Sequence, residues 1–348
     1  MTYYPQLIKE ALSHVRYPGT GEDIVSAGML EDDIRIDGKK ISFSLIFKRT
    51  NDPFAKSLVK ACEQAILTYV DKEADIKGNI AIKTITPPPT PKDDSMKGVK
   101  NIIAVSSGKG GVGKSSIAVN LAVALAQAGK RVGLLDADIY GPSVPKMLNL
   151  EDARPEGENI DGKDYILPIE CLGMKVLSIG FFVDPDKALV WRGAMAVNAL
   201  KQLINDTLWG ELDYFIVDMP PGTGDIHLSL VQLLKLTGAI VVTTPQPVAL
   251  ADARKGIDMF TNEHVNVPVL GIVENMAWFT PEELPNNKYY IFGKDGGKTL
   301  AEECGVRLLA QIPLVQGIRE GGDNGIPVAL QPNHPAANYF KALAQSLM

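Results

Sequence analysis

Residues 106–116 read SSGKGGVGKSS. Four of these eleven residues are glycine. From Gly108 to Ser115 the stretch fits G-x-x-x-x-G-K-[ST], the pattern of a phosphate-binding loop. The apolar run NIIAVSS before it reads as a strand, and KSSIAVNLAVALAQAG after it reads as a helix. Strand, glycine loop and helix in that order are the context the motif needs. In such a loop Gly108, Gly110, Gly111 and Gly113 let the backbone turn its N–H groups inward, and Val112 completes the cradle. The helix start adds the positive end of its dipole. Lys114 is then placed on the β- and γ-phosphates, Ser115 on Mg²⁺, and Ser116 behind it at the α-phosphate.

The loop carries a second lysine, Lys109. One lysine suffices for the terminal phosphates, so Lys109 is expected at the rim, pointing outward. It is either a solvated surface lysine or a group that reaches the nucleotide of a second copy of the chain. In the second case it neutralises charge on the transferring phosphoryl as an arginine finger does, an effect worth roughly 10³–10⁵ in rate.

Further along, continuous apolar runs recur: RVGLLDAD, DYFIVDMP, AIVVTTP, VPVLGIVEN and RLLAQIP. Helical segments such as GDIHLSLVQLLKLTG and PVALADARKGIDMFTNEH separate them. Strands this apolar belong to a parallel sheet covered on both faces. The fold class is therefore α/β, a doubly wound, mostly parallel sheet with its ligand site at the C-terminal ends of the strands. Those ends carry the chemistry. Asp136 and Asp138 share one face of their strand, with Asp136 suited to a Mg²⁺-bound water and Asp138 to orienting the attacking water. Asp218 ends the strand YFIVD at the Walker B position for Mg²⁺. The following PPGTGD has the stiffness and hinges of a nucleotide switch, with Thr223 as a sensor of the γ-phosphate. Asp225 reads as a helix cap and His227 as an exposed helix residue. Asn275, in GIVENM, is read as ending its strand and pairing with a purine edge, or as a turn former.

Upstream, residues 86–98, TPPPTPKDDSMKG, form a proline-rich linker. It sets off a small α+β segment, residues 1–85, from the P-loop segment, residues 99–348. The small segment reads helix (PQLIKEALSHV), two strands (DDIRIDG, KKISFSLIFKR), helix (PFAKSLVKACEQAILTYV) and strand (NIAIKTI), with no catalytic constellation. A net charge of -6 and a pI near 5.4 argue against a nucleic-acid binder. No run of 18 apolar residues and no signal-peptide pattern is present, so the expectation is a cytoplasmic protein without a membrane partner. Cys62, Cys171 and Cys304 are scattered and imply no disulfide framework.

Taken together, these motifs resemble the deviant Walker A class of P-loop ATPases, which contains MinD, the ParA-type partition proteins and the nitrogenase iron protein. Within that class, DADIYGPSVPKMLN, LVWRGAM, WGELDYFIVDMPPGTGD and IVENMAWF resemble the Mrp/ApbC family of iron–sulfur cluster carriers. The small segment resembles the iron–sulfur assembly domain often fused in front of that family. The resemblance implies an ATP- and Mg²⁺-dependent homodimer with Lys109 acting in trans, Asp138 hydrolytic, Asp218 in the Walker B role and Asn275 on adenine. It further implies an iron–sulfur cluster and partners among assembly and acceptor proteins. Arg192, in WRG, matches a family motif without an assigned role, a salt bridge near the dimer face being the simpler reading. Two departures stand out. The family's C-x-x-C after ENM falls here near Thr280 and Glu283, and the small domain has Asp52 near the place of its usual cysteine. Iron–sulfur clusters are normally held by cysteine thiolates. The missing thiolates raise an alternative, a nucleotide-gated adaptor in cluster assembly. A MinD- or ParA-like positioning ATPase is a third option, but the C-terminal HPAANYFKALAQSLM carries one cation and reads as a core-packing helix rather than a membrane binder.

Overall fold

A computed structural model describes residues 3–18, 21–31, 33–47, 52, 54–84, 96–182, 193–281, 283–284 and 286–348. The chain divides into two compact units, residues 1–93 and 94–348. Most of the expected linker and Arg192 lie outside the described residues.

The first unit runs α1 (Pro5–Leu12), β1 (Arg35–Asp37), β2 (Lys40–Phe47), α2 (Ala55–Tyr69) and β3 (Ile80–Thr84). Alternation in β2 turns Ile41, Phe43, Leu45 and Phe47 to one side, where they are buried. Leu58, Cys62, Ala65 and Ile66 bring one face of α2 onto them. β1 pairs antiparallel with β2, and α2 is the crossover that lets β3 pair parallel on the other side. Burial of the Cys62 thiol pushes it up to about 12, so it is a packing residue. Asp52 is held at the start of α2, accepting from the Tyr17 hydroxyl at 2.6 Å and from the Phe54 amide at 2.9 Å.

The second unit begins with β4 (Val99–Ser106), α3 (Lys114–Gln127), β5 (Val132–Asp136) and α4 (Val144–Met147). Next come β6 (Gly157–Ile160), β7 (Lys163–Ile166), β8 (Ile169–Cys171), β9 (Met174–Ser178), α5 (Gly193–Asn205), β10 (Leu212–Asp218) and α6 (Asp225–Leu233). It ends with β11 (Gly238–Thr243), α7 (Pro247–Thr261), β12 (Val269–Phe279), α8 (Gly296–Cys304), β13 (Leu308–Leu314), α9 (Gln316–Asp323) and α10 (Ala337–Gln345). Eight strands form one sheet in the order β13-β12-β11-β4-β10-β5-β9-β8. All neighbours are parallel except β8, which turns back antiparallel on β9.

This architecture follows from the apolar runs. β5 and β11 are buried along their whole length, as strands covered on both faces must be. α3 is buried from Ile117 through Leu125, because it lies against the sheet on one side and α10 on the other. In α10, Phe340, Leu343 and Ala344 are buried, as its core-packing reading expects. The central crossing places the tips of β4, β5 and β10 side by side, with Asp218 level with Val105 and Asp136.

Two features depart from the sequence reading. The stretch between α4 and α5 holds β8, β9 and the β6–β7 hairpin, all too short to stand out as runs. β12 does not end at Asn275. It kinks at Met276, where φ is +55°, and continues to Phe279, which pairs with Leu314 after a break in register.

Candidate functional site

The loop from Ser107 to Gly113 links β4 to α3, and its glycines have different jobs. A Cβ on Gly108 would stand 2.1 Å from the Asp252 carbonyl oxygen in α7, so Gly108 is a packing glycine as much as a ligand-facing one. Gly113 has φ +86°, and a Cβ there would lie 2.3 Å from Asn275 Nδ2. Gly111 has φ +82° and open space beside it, while Gly110 meets only Pro221, at 4.0 Å. Gly110 and Gly111 therefore leave room that the protein itself does not use. The Ser107 hydroxyl donates to the Lys109 carbonyl at 2.9 Å, fixing the loop's bend, and the Lys109 side chain is exposed at the rim.

Lys114 opens α3 and is almost completely buried. Its Nζ lies 2.5 Å from Asp218 Oδ1, 3.2 Å from Ser115 Oγ and 3.9 Å from Asp138 Oδ2. Three acids thus face a single ammonium: Asp218 and Asp136, both fully buried, and Asp138, nearly so. Burial raises all three carboxyl pKa values, to about 7 for Asp136, and the Lys114 charge opposes the rise. Asp218 Oδ2 is buried with no hydrogen-bond partner. An excess of carboxylate beside an orphaned buried oxygen and the Ser115 hydroxyl fits a magnesium ion, which takes one or two carboxylates and keeps several waters. Among the described residues, no group of three or more His, Cys, Asp and Glu forms a metal cage.

Asp136 is engaged more fully than its spacing suggested. Its Oδ2 accepts from the Ser178 hydroxyl at 2.9 Å and the Val144 amide at 3.2 Å, and its Oδ1 from the Asp138 amide at 3.1 Å. It therefore builds the turn that carries Asp138. Asp138 in turn accepts from the Gly141 amide at 3.3 Å.

The segment after β10 lies along this cradle. Met219 continues the ladder by donating to the Val105 carbonyl at 3.0 Å, and the Gly222 amide donates to the Ser107 carbonyl at 2.9 Å. Pro221 lines the phosphate cavity, while Thr223 is exposed. α6 starts at Asp225, whose side chain lies outside the described residues. His227 is not an exposed helix residue. It is 2% exposed, with Nε2 donating to the Pro220 carbonyl at 2.7 Å. The segment bends back over the first turn of α6, which spacing along the helix cannot reveal.

Two cavities share Gly113, Ser116, Ser143 and Met147. One, about 210 Å³, is lined by Ser107, Gly110, Gly111, Lys114, Ser115 and Asp138 and matches the expected phosphate cradle. The other, about 340 Å³, is lined by Asn275, Met276, Pro313, Leu314, Val315 and Ile318. It is mainly apolar and large enough for a nucleoside. Asn275 is buried, donating through Nδ2 to the Val112 carbonyl at 2.9 Å, so it braces the loop from the side of this second cavity. The segment 313–323 was missed from sequence. Its one signal is its position at the C-terminal end of the last strand.

At the end of β12, Thr280 is half-buried and Glu283 exposed. Phe279 and Tyr289 exchange backbone hydrogen bonds at 2.9 and 2.8 Å, and Lys288 Nζ sits 3.9 Å from the centre of the Trp278 ring. No helix among the described residues is long and apolar enough to cross a membrane.

Residues 98–348 match the family described as NUBPL iron-transfer P-loop NTPase, and residues 5–76 match iron-sulfur cluster assembly protein. An iron-sulfur cluster carrier protein of Synechocystis sp. is 44% identical over 337 residues, which cover 97% of this chain and 94% of that protein. The protein of that description from Escherichia coli is 53% identical over 250 residues, covering 72% and 66%. Among solved structures, a nucleotide-binding protein from Archaeoglobus fulgidus in complex with ADP aligns with a TM-score of 0.60 and 35% identity, covering 70% of this chain and 94% of that one.

Proposed function

The chain belongs to the NUBPL iron-transfer P-loop NTPase family and is an ATPase of that class, and on this premise we propose that it is an ATP-dependent carrier of iron–sulfur clusters. The observation that carries the reading is continuity: similarity to a cluster carrier runs through both units of the chain rather than through the P-loop alone. The cluster is cargo, received from an assembly protein and passed to an acceptor.

In this reading the triphosphate lies over Gly110 and Gly111, and Lys114 turns from Asp218 to the β- and γ-phosphates. Ser115 and Asp218 hold the magnesium ion, which neutralises phosphate charge when bound. Asp138 orients the attacking water, and Asp136 positions Asp138 and meets the cation through water. Ser116 stands at the α-phosphate. The base enters the apolar cavity, where Asn275 faces its edge. Two copies meet face to face, each lending Lys109 to the other's nucleotide, so both catalysis and cargo handling belong to a homodimer.

Anaerobic reconstitution with iron and sulfide tests the cargo role. Visible absorption from a bound iron–sulfur cluster, and ATP-dependent transfer of that cluster to an apoprotein, is the expected result. A chain that hydrolyses ATP normally and takes up no cluster would overturn the carrier role. A second reading, a nucleotide-gated adaptor that holds no cluster itself, is favoured by one observation: Thr280 and Glu283 stand where the family resemblance puts its cysteine pair.

A further inference from the structure

We propose that His227 is a positioning residue that couples the loop 219–224 to α6, so that phosphate contact at the loop is passed to that helix. The inference rests on the ATPase reading above and deepens it.

The loop is pinned at few points. Pro220 and Pro221 offer no amide hydrogen and have fixed φ, so this part of the chain behaves as a short stiff bar. Both ends join the cradle, Met219 donating to Val105 and Gly222, at φ +93°, donating to Ser107. The Pro220 carbonyl, in the middle, is taken by His227 Nε2 at 2.7 Å. His227 sits in the first turn of α6, its own amide donating to the Gly224 carbonyl at 3.0 Å. The imidazole therefore closes a ring of contacts: P-loop, stiff bar, helix start.

None of the phosphate chemistry uses this side chain. An apolar residue would fill the same buried place without the cost of burying a ring nitrogen. Burial pushes the imidazole pKa down, against the hydrogen bond to the Pro220 carbonyl and with the Lys114 charge, which favours the neutral ring with one N–H. A carbonyl only accepts, so that hydrogen is on Nε2. If Gly222 and Thr223 shift on meeting a phosphate, the bar carries the Pro220 carbonyl with it. Either α6 follows or the bond breaks. α6 packs against α5, so the signal has a second helix to move.

The test uses the full-length chain and three variants: His227→Leu, which fills the space without a donor, His227→Asn, which is polar but too short to reach, and His227→Gln, which reaches and donates. Turnover and hydrogen exchange are compared with ADP and with a non-hydrolysable ATP analogue. The expected result for His227→Leu is a fall in kcat of about tenfold with KM for ATP within about twofold of wild type. Its nucleotide-dependent exchange difference persists in 219–224 and is lost in 226–233, and His227→Gln restores both. Should His227→Leu fail to fold in a melting scan, His227→Asn carries the same expectation. Wild-type kcat together with an intact exchange response in α6 would overturn the proposal, as would a loss of activity that His227→Gln does not rescue. A wild-type chain with no turnover and no nucleotide-dependent exchange anywhere would instead overturn the ATPase reading beneath it.

Discussion

Two regions at the same end of one sheet are built in opposite ways. Between the tips of β4, β5 and β10, polar groups are buried and closely matched: Lys114 against Asp218, Asp136 against Ser178 and Val144, and Gly108 against the backbone of α7. Beyond the tip of β12 the surface is aromatic and open, with Leu284, Tyr289, Tyr290 and Ile291 all exposed and Lys288 lying over Trp278. The first region tolerates little change, because most of its buried polar side chains hold one another in place. The second sits on a connection whose side chains mostly face solvent, where chemistry can change without disturbing the sheet. The place near 280–283 where the family resemblance puts a cysteine pair lies in this second region, apart from the buried acids and Lys114.

The largest effect expected is at the cradle's rim. Lys109→Ala should bind ATP as before and lose roughly 10³–10⁵ in hydrolysis, measured by phosphate release. Full activity would return Lys109 to the status of a surface lysine and align the rim with the open region. Lys114→Ala removes the buried cation itself, and ATP affinity by calorimetry should drop about 100-fold, or ~2.7 kcal/mol. Unchanged affinity would break the assignment of the loop.

Packing comes next in size. Gly108→Ala forces a methyl group against the Asp252 carbonyl, and overpacking of this kind costs about 1–3 kcal/mol. For a unit of this size that is about 2–4 °C in melting temperature per kcal/mol. An unshifted melting curve would mean that α7 yields easily and that the cradle is less rigid than its contacts imply.

A smaller effect follows from the acids. Asp136 has a folded-state pKa of about 7 against an ordinary 3.8, because burial and the Asp218 charge disfavour its anion. Between those two values the folded chain binds more protons than the unfolded one, so this group's contribution to stability falls as pH rises through that window and levels off above it. Asp136→Asn should flatten that slope in melting temperature against pH, and an unchanged slope would place the proton elsewhere.

The smallest effect is expected in the open region. The double variant Thr280→Cys with Glu283→Cys should leave ATP turnover and melting temperature unchanged while strengthening the visible iron–thiolate band after reconstitution. Impaired turnover would show that the two regions are not independent.

The same contrast governs what the sequence made legible. The phosphate loop and the six principal strands could be read because a glycine-rich loop set between long apolar runs has few other structures to adopt. Between α4 and α5 the signal failed, since β8 and β9 are three and five residues long, β9 gaining its order from β5 alongside and β8 from β9. The sequence reading ends the strand at Asn275, yet β12 continues to Phe279, which pairs with Leu314 of β13 after a break in register that leaves no local pattern. The burial of His227 and the apolar cavity beside residues 313–323 depend on a chain reversal and on distant segments meeting. Neither leaves a local pattern.

One margin of the large sheet ends on β8, three residues long and running against its neighbour. A strand of that length shows an incoming peptide too few free amides and carbonyls for a ladder to take hold. A continuous ribbon of chains therefore finds little to grow from on that side, whereas the opposite margin, β13, is seven residues long.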